Sequence, residues 1–189
     1  MKNKIYDCFM FNNEIDLLNI RLNVLDEFVD YFVIIESLET HSGLKKKTQF
    51  IKEKFQEFEH KIIYGVIPKF PINLSPWEKE NYQRNYIAKF LNKADENDLI
   101  LISDLDEIPN LKNLNLFCIK EKVIIFQQRL FFYKLNLGEQ IPSWHGTRCT
   151  KKKNLKSPQW LRNLKTHKKY RFYRFDKFFF SKTYEKNFK

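Results

Sequence analysis

Leu99-Ile100-Leu101-Ile102-Ser103-Asp104-Leu105-Asp106-Glu107-Ile108-Pro109 is the stretch on which the fold of this chain turns. Four apolar residues run straight into three carboxylates packed within four positions, and a proline closes the segment. A short continuous apolar run reads as a strand buried on both faces, the kind found inside an α/β sheet. Open α/β sheets bind their ligands outside the carboxyl ends of such strands. Asp-x-Asp at that point presents oxygens to a hard divalent cation, and Mg²⁺ or Mn²⁺ favours oxygen ligands while keeping positions open for substrate phosphates. The competing reading, acids that merely end a strand and start a turn, loses ground to the apolar strand before the motif and to Glu-Ile-Pro after it.

The same grammar repeats upstream. Lys4–Phe11 reads as a first strand, with Asn12-Asn13 as a turn and helix cap. From Glu14 the period turns helical, with Ile15, Leu18, Leu22 and Leu25 on one face. Asp30–Glu36 is a second buried strand that again ends in a carboxylate. Ser37–Lys47 is a polar loop, Thr48–Phe58 a helix, and Lys61–Val66 a third strand. Three prolines between Ile67 and Pro76 predict a loop. Pro76-Trp77 opens a long helix with an apolar stripe of Tyr82, Tyr86, Phe90 and Ala94, widened by Ile87 and Leu91. Strands alternating with helices over residues 4–103 predict βαβ units and a mainly parallel sheet, with right-handed crossovers. The carboxyl ends of strands one, two and four then share one edge, which makes Glu14, Glu36, Asp104 and Asp106 candidate neighbours around one crevice.

Downstream the signals weaken. After Pro109 a short helix is expected, then one long strand or hairpin over Lys122–Leu137. A turn at Pro-Ser-Trp-His-Gly follows, then a basic run, a short helix near Trp160 and an aromatic-basic strand from Tyr170. The net charge is +11, and its distribution is uneven. From Lys151 onward fourteen Lys and Arg face only Asp176 and Glu185, with ten aromatics interleaved, so the first 150 residues are near neutral. The expected organisation is an α/β domain over 1–150, carrying the Asp-x-Asp crevice, and a basic aromatic segment over 151–189 that packs on it. Such a segment suits solvated strand faces, or contact with anionic lipid or an acidic glycan. Nucleic acid is the weaker option, because no RRM, KH or helix-turn-helix signature accompanies it.

Cys8, Cys118 and Cys149 are far apart and without metal spacing, as expected of reduced thiols in a reducing compartment. Asp7 and Glu14 interrupt any leader-like run, and no stretch approaches the ~18 apolar residues of a membrane span. The expected location is cytoplasmic, or peripheral on the inner membrane face.

Four blocks resemble glycosyltransferase family 17. They are Asp7-Cys8-Phe9-Met10-Phe11-Asn12-Asn13-Glu14-Ile15-Asp16-Leu17-Leu18 with Arg21-Leu22; Val33-Ile34-Ile35-Glu36-Ser37 with Thr40-His41-Ser42-Gly43-Leu44-Lys45; Gln83-Arg84-Asn85; and Ser103–Pro109. They cover about the first 110 residues in the family's order. The family's pattern continues into a Gly-Trp-His-containing segment, of which Trp144-His145-Gly146 is a loose echo. The resemblance implies a GT-A-like fold with a Rossmann-type sheet flanked by helices. It also implies a UDP-sugar donor, a glycan or lipid-linked acceptor, a divalent cation (Mn²⁺ or Mg²⁺), and transfer of GlcNAc or a similar hexose with inversion. A non-catalytic basic binding module for nucleic acid or anionic surfaces is the alternative.

Roles follow on that footing. Asp106 is the first choice for metal ligand and catalytic residue, with Asp104 as second ligand or ribose contact. Glu107 is assigned to the catalytic set, either orienting a ligand or, with Glu139 as the other candidate, taking the acceptor hydroxyl proton. Phe11, Asn13, Glu14, Glu36, His41 and Arg84 are expected to contact the donor, Arg84 as a bidentate phosphate clamp. Four of them have a plainer reading: Glu14 as a helix-starting acid, Glu36 as a buried acid with a structural partner, Arg84 as an exposed helix charge, His41 as a solvated loop residue. Trp77 and Trp144 could stack on sugar faces, or simply anchor core and loops.

Overall fold

The computed structural model describes residues 3–131, 137–138 and 144–165, and the backbone of a strand at Thr183–Lys186. Glu139, the Pro-Ser part of the expected turn and the start of the strand expected from Tyr170 lie outside the described residues.

Seven strands form one sheet: β1 (Ile5–Met10), β2 (Tyr31–Ser37), β3 (Ile62–Ile67), β4 (Leu99–Ser103), β5 (Val123–Gln128), β6 (Trp144–Lys151) and β7 (Thr183–Lys186), in the order β3-β2-β1-β4-β6-β5-β7. β3, β2, β1 and β4 are parallel. β6 runs antiparallel to both β4 and β5, and β7 parallel to β5. The expected mainly parallel α/β sheet is therefore present.

Two core layers cover the sheet. On one face α1 (Ile15–Leu25) packs Leu18, Leu22 and Leu25 against Phe9, Phe32, Ile34 and Leu101. On the other, α2 (Pro76–Tyr86) and the 3₁₀ turn Ile87–Phe90 lie over Tyr6, Cys8, Val33, Ile35 and Ile102, and α3 (Pro158–Arg162) adds Leu161. The apolar stripe read for α2 is the packed one, as Tyr82, Tyr86, Ile87, Phe90, Leu91 and Ala94 all join this layer. Ser75 caps α2 in a capping box with Glu78, and Pro76 takes the first helical position, where no N–H is needed.

Several elements differ from expectation. Residues 52–58 form a 3₁₀ helix kinked at Phe55, not an α-helix from Thr48. The long helix from Pro76 is α only to Tyr86. β5 ends at Gln128, so Lys122–Leu137 is not one long strand, whereas Phe131 and Gly138 form an antiparallel bridge in keeping with the hairpin alternative; the segment after Pro109 holds one 3₁₀ turn, Leu116–Cys118. Trp144-His145-Gly146, read as part of a turn, opens β6, which wedges between β4 and β5. The charge break at Lys151 is no break in the fold: β6 ends there, and α3 just beyond packs into the same core. Cys8 and Cys149 are buried free thiols, pushed to high pKa by desolvation and therefore poor nucleophiles. Among the described residues no helix is long and apolar enough to cross a membrane.

Candidate active site

The strand order reverses between β1 and β4, and there a crevice of about 460 Å³ opens at their carboxyl ends. A doubly wound sheet has its ligand site at this switch point. Four segments line it. The β1–α1 turn gives Phe11, Asn12 and Glu14. The loop after β2 gives Ser37, Glu39, Thr40, His41 and Lys46. α2 gives Glu80 and Gln83, and the turn after β4 gives Asp104, Leu105 and Asp106.

The period of two along β4 decides what each motif residue meets. Leu99 and Leu101 join the α1 layer, Ile100 and Ile102 the α2 layer. Ser103 then turns toward α1, where its hydroxyl meets Arg21, and Asp104 turns toward α2 and α3. Asp104 Oδ1 accepts from Arg84 at 2.9 Å and Oδ2 from Arg162 at 2.7 Å, so both oxygens are held by guanidinium groups. Arg84 is buried, and it also donates to Glu80 at 2.8 Å and to the side chain of Gln159. Glu107 is buried beneath the turn. Its Oε2 accepts from the backbone N–H of Asp104 at 2.9 Å, and its Oε1 from Arg162 at 2.7 Å and from the Trp144 indole at 2.6 Å. Burial pulls the Arg162 pKa down, but Asp104 and Glu107 outweigh it and the net shift is upward.

Arg21 organises the turn from below. This fully buried side chain grips Asp7 of β1 bidentately, at 2.8 and 2.7 Å. Its Nη1 donates to the carbonyls of Asp104 and Leu105 at 2.9 Å and of Glu107 at 3.3 Å. Asp106 is the exception in this network. It is exposed in the crevice wall, and among the described residues its carboxylate has neither hydrogen bond nor ion pair.

The sequence model of glycosyltransferase family 17 matches residues 1–181. The chain belongs to glycosyltransferase family 17. The match runs well past the 110 residues that carry the resemblance, across β5, β6 and α3. Two β-1,4-mannosyl-glycoprotein 4-β-N-acetylglucosaminyltransferases, of Rattus norvegicus and Homo sapiens, are each 29% identical over 116 residues, and that of Mus musculus is 28% identical. The matched region is 56% of this chain and 22% of each relative, so the chain spans about a fifth of their length.

In this family 17 domain, five of the candidate residues meet in one crevice: Phe11, Glu14, His41, Asp104 and Asp106. Glu14 sits at the N-cap of α1, but its Oε2 accepts from the backbone N–H groups of Asn12 and Asn13 instead of capping the helix. The Asn13 side chain is outside the lining. Arg84 and Glu107 stand behind the wall, in contact with Asp104.

Glu36 is not part of the crevice. Fully buried, it accepts from Lys46 at 2.7 Å, the N–H groups of Gln49 and Phe50, and the Tyr64 hydroxyl at 2.8 Å. It is the anchor of the loop after β2, and desolvation together with this bond raises the Tyr64 pKa. Glu36→Ala is expected to cost about 3 kcal/mol by stranding these donors, with nucleotide affinity changed far less than stability. Chemical denaturation and a nucleotide titration on the folded variant check both halves.

Three residues of this network had been given no role from the sequence: Arg21 and Gln83, which stand in the resembling blocks, and Arg162, which does not. Trp77 is 74% exposed at the start of α2, while Trp144 is tied to Glu107 and keeps 43% exposure. Gly146 explains the tight passage of β6 over the motif, since a Cβ there would overlap the Gln128 amide and stand 3.2 Å from the Glu107 carboxyl carbon. Arg148, buried beside Arg162, has its pKa pushed down to about 10, chiefly by desolvation and then by Arg162. Among the described residues its Nε finds no acceptor.

Proposed function

We propose that this domain transfers a sugar, GlcNAc or a similar hexose, from a UDP-sugar to a glycan or lipid-linked hydroxyl, with inversion, on a GT-A-like scaffold. The observation that carries this reading is the unpaired Asp106 carboxylate in the switch-point crevice of a family 17 chain. The relatives' name, an N-acetylglucosaminyltransferase, supports the class of sugar.

Both Asp104 oxygens are occupied by arginines, and among the described residues no three His, Cys, Asp or Glu side chains converge on one point. A caged transition-metal site is therefore not the fit. Mn²⁺ or Mg²⁺ suits a single protein carboxylate completed by water and substrate phosphates. Asp106 would hold it, and the cation would neutralise the diphosphate as it leaves. Asp104, held by Arg84 and Arg162, faces the same crevice and can accept a donor hydroxyl proton in a hydrogen bond. Glu107 acts through the turn: with three donors already on its oxygens it positions Asp104 and Arg162 and does not take the acceptor proton.

A thermal-shift titration tests the reading. UDP-GlcNAc with Mn²⁺ should raise Tm by roughly 5–10 °C near saturation, following the ~2.7 kcal/mol expected at a hundredfold excess over Kd. EDTA should remove most of the shift. Indifference to every UDP-, GDP- and CMP-sugar, with or without Mn²⁺, would sink it.

A further inference from the structure

An inverting transfer needs a proton acceptor, and the crevice carboxylates are mostly committed. Glu39 is bound by Lys79 at 2.7 Å, Glu80 by Arg84 at 2.8 Å, and Asp104 by Arg84 and Arg162. A carboxylate paired with a cation is a weakened base. Asp106 is assigned to the cation. Glu14 retains one uncommitted oxygen.

His41 differs from all of these. Its Nε2 lies 2.8 Å from Gln83 Oε1. The Gln83 side chain is buried, and its Nε2 donates to the Ile35 carbonyl of β2 at 3.0 Å. That bond fixes the amide, so Oε1 must be the atom facing the imidazole. An amide oxygen only accepts, hence the proton of neutral His41 resides on Nε2 and the lone pair on Nδ1. Among the described residues nothing donates to Nδ1. The edge of Phe70, 6.1 Å away between ring centres, holds the ring from the side, and His41 is part of the crevice wall. Gln83 thus plays the part of an orienting group for a base, anchored to the sheet itself.

We infer that His41 is the catalytic base of the transfer, a reading that rests on the proposed inverting reaction. Nδ1 takes the proton of the acceptor hydroxyl as its oxygen bonds to the anomeric carbon. The bond from that carbon to the phosphate oxygen breaks, and its electron pair leaves with UDP. Gln83 is a positioning residue, holding the tautomer that leaves Nδ1 open.

Release of UDP from UDP-GlcNAc with Mn²⁺ and water as acceptor is the assay, because water needs the same deprotonation. His41→Ala should lose roughly 10²- to 10⁴-fold in kcat, keep its UDP-induced thermal shift, and regain at least about tenfold with added imidazole, which restores the missing base. The histidine ¹⁵N spectrum, with the His41 signals assigned by their absence from the variant, should report the Nε2–H tautomer.

A His41→Ala enzyme that turns over within about threefold of the parent, or one that imidazole does not revive, overturns the inference, as does an Nδ1–H tautomer. Formate rescue of Glu14→Ala, with His41→Ala unaffected, would assign the base to Glu14 instead. Absence of any UDP release and thermal shift in the parent protein is a different failure, that of the sugar-transfer reading itself.

Discussion

Asp106→Asn is expected to lower transfer by roughly 10³-fold while leaving the protein as stable as before. The side chain is exposed and makes no described hydrogen bond or ion pair, so its replacement removes no folded-state contact. Surface changes of that kind stay within about 0.5 kcal/mol, a Tm change of roughly 2 °C or less. On the proposed reading the change would, by contrast, remove the cation's protein ligand and with it charge neutralisation where the diphosphate departs, and roughly a 10³-fold fall in kcat/KM, about 4 kcal/mol of transition-state stabilisation, is expected. The Mn²⁺-dependent part of the UDP-sugar thermal shift should vanish with it. Asp104→Ala makes the contrast. It leaves Arg84, 2% exposed, and Arg162 without their shared carboxylate, and should lower stability as well as activity. An Asp106→Asn enzyme that still needs Mn²⁺ and still binds UDP-sugar would refute the assignment, and Tm measured beside the titration excludes misfolding as the cause.

The half of the fold that was legible is the half governed by apolar periodicity. The Val33-Ile34-Ile35 run of β2, the Ile100-Leu101-Ile102 run of β4, and the Leu18, Leu22, Leu25 stripe of α1 have no other way to bury themselves. β6 was not legible because it is not apolar. It holds no Val, Ile or Leu, yet Thr147 and Thr150 are buried, their hydroxyls donating to the carbonyls of Glu107 and Lys122. A strand stabilised by its neighbours' carbonyls carries no hydrophobic signature. Thr48–Phe58 misled for a related reason: Phe50, Phe55 and Phe58 do pack, but the loop is held by Glu36 through the N–H groups of Gln49 and Phe50, which fixes extended backbone there before the 3₁₀ turn begins.

The site divides the same way. Topology alone placed the ends of β1, β2 and β4 together, and Glu14, Asp104 and Asp106 do share the crevice. Glu36 was placed at the right strand end but on the wrong face. Along β2, Val33 and Ile35 point to the α2 layer, which sends Glu36 to the opposite side, toward Phe50 and Tyr64. Counting by two from Ile35 would have shown it. Arg162 had no signal, because nothing in a basic tail marks which arginine meets an acidic turn. Arg21 did have one. It sits at the i+3 position after Leu18, inside an otherwise apolar helix face, and Asp7 interrupts an otherwise apolar strand. A lone base on a buried stripe and a lone acid in a buried strand imply each other, since neither can be buried unpaired.

That pair sets the largest stability effect. Arg21→Met should destabilise the domain by about 4 kcal/mol, lowering Tm by roughly 8–16 °C. The change leaves Asp7 charged and buried, with both oxygens stripped of donors, and frees the carbonyls of Asp104, Leu105 and Glu107. The two losses can be separated. In Asp7→Leu with Arg21→Met the uncompensated carboxylate is gone, and apolar replacement of a buried ion pair is often close to neutral. The double variant should therefore recover stability relative to Arg21→Met, with a coupling of roughly 1–3 kcal/mol in the cycle. It should not recover UDP-sugar binding, because the turn that presents Asp104 and Asp106 still lacks the guanidinium that gathers its carbonyls. A double variant that regains both would mean that Arg21 serves only to neutralise Asp7. One that regains stability alone makes Arg21 the link between the packing of α1 and the presentation of the motif, the point at which the core of this fold sets the geometry of its site.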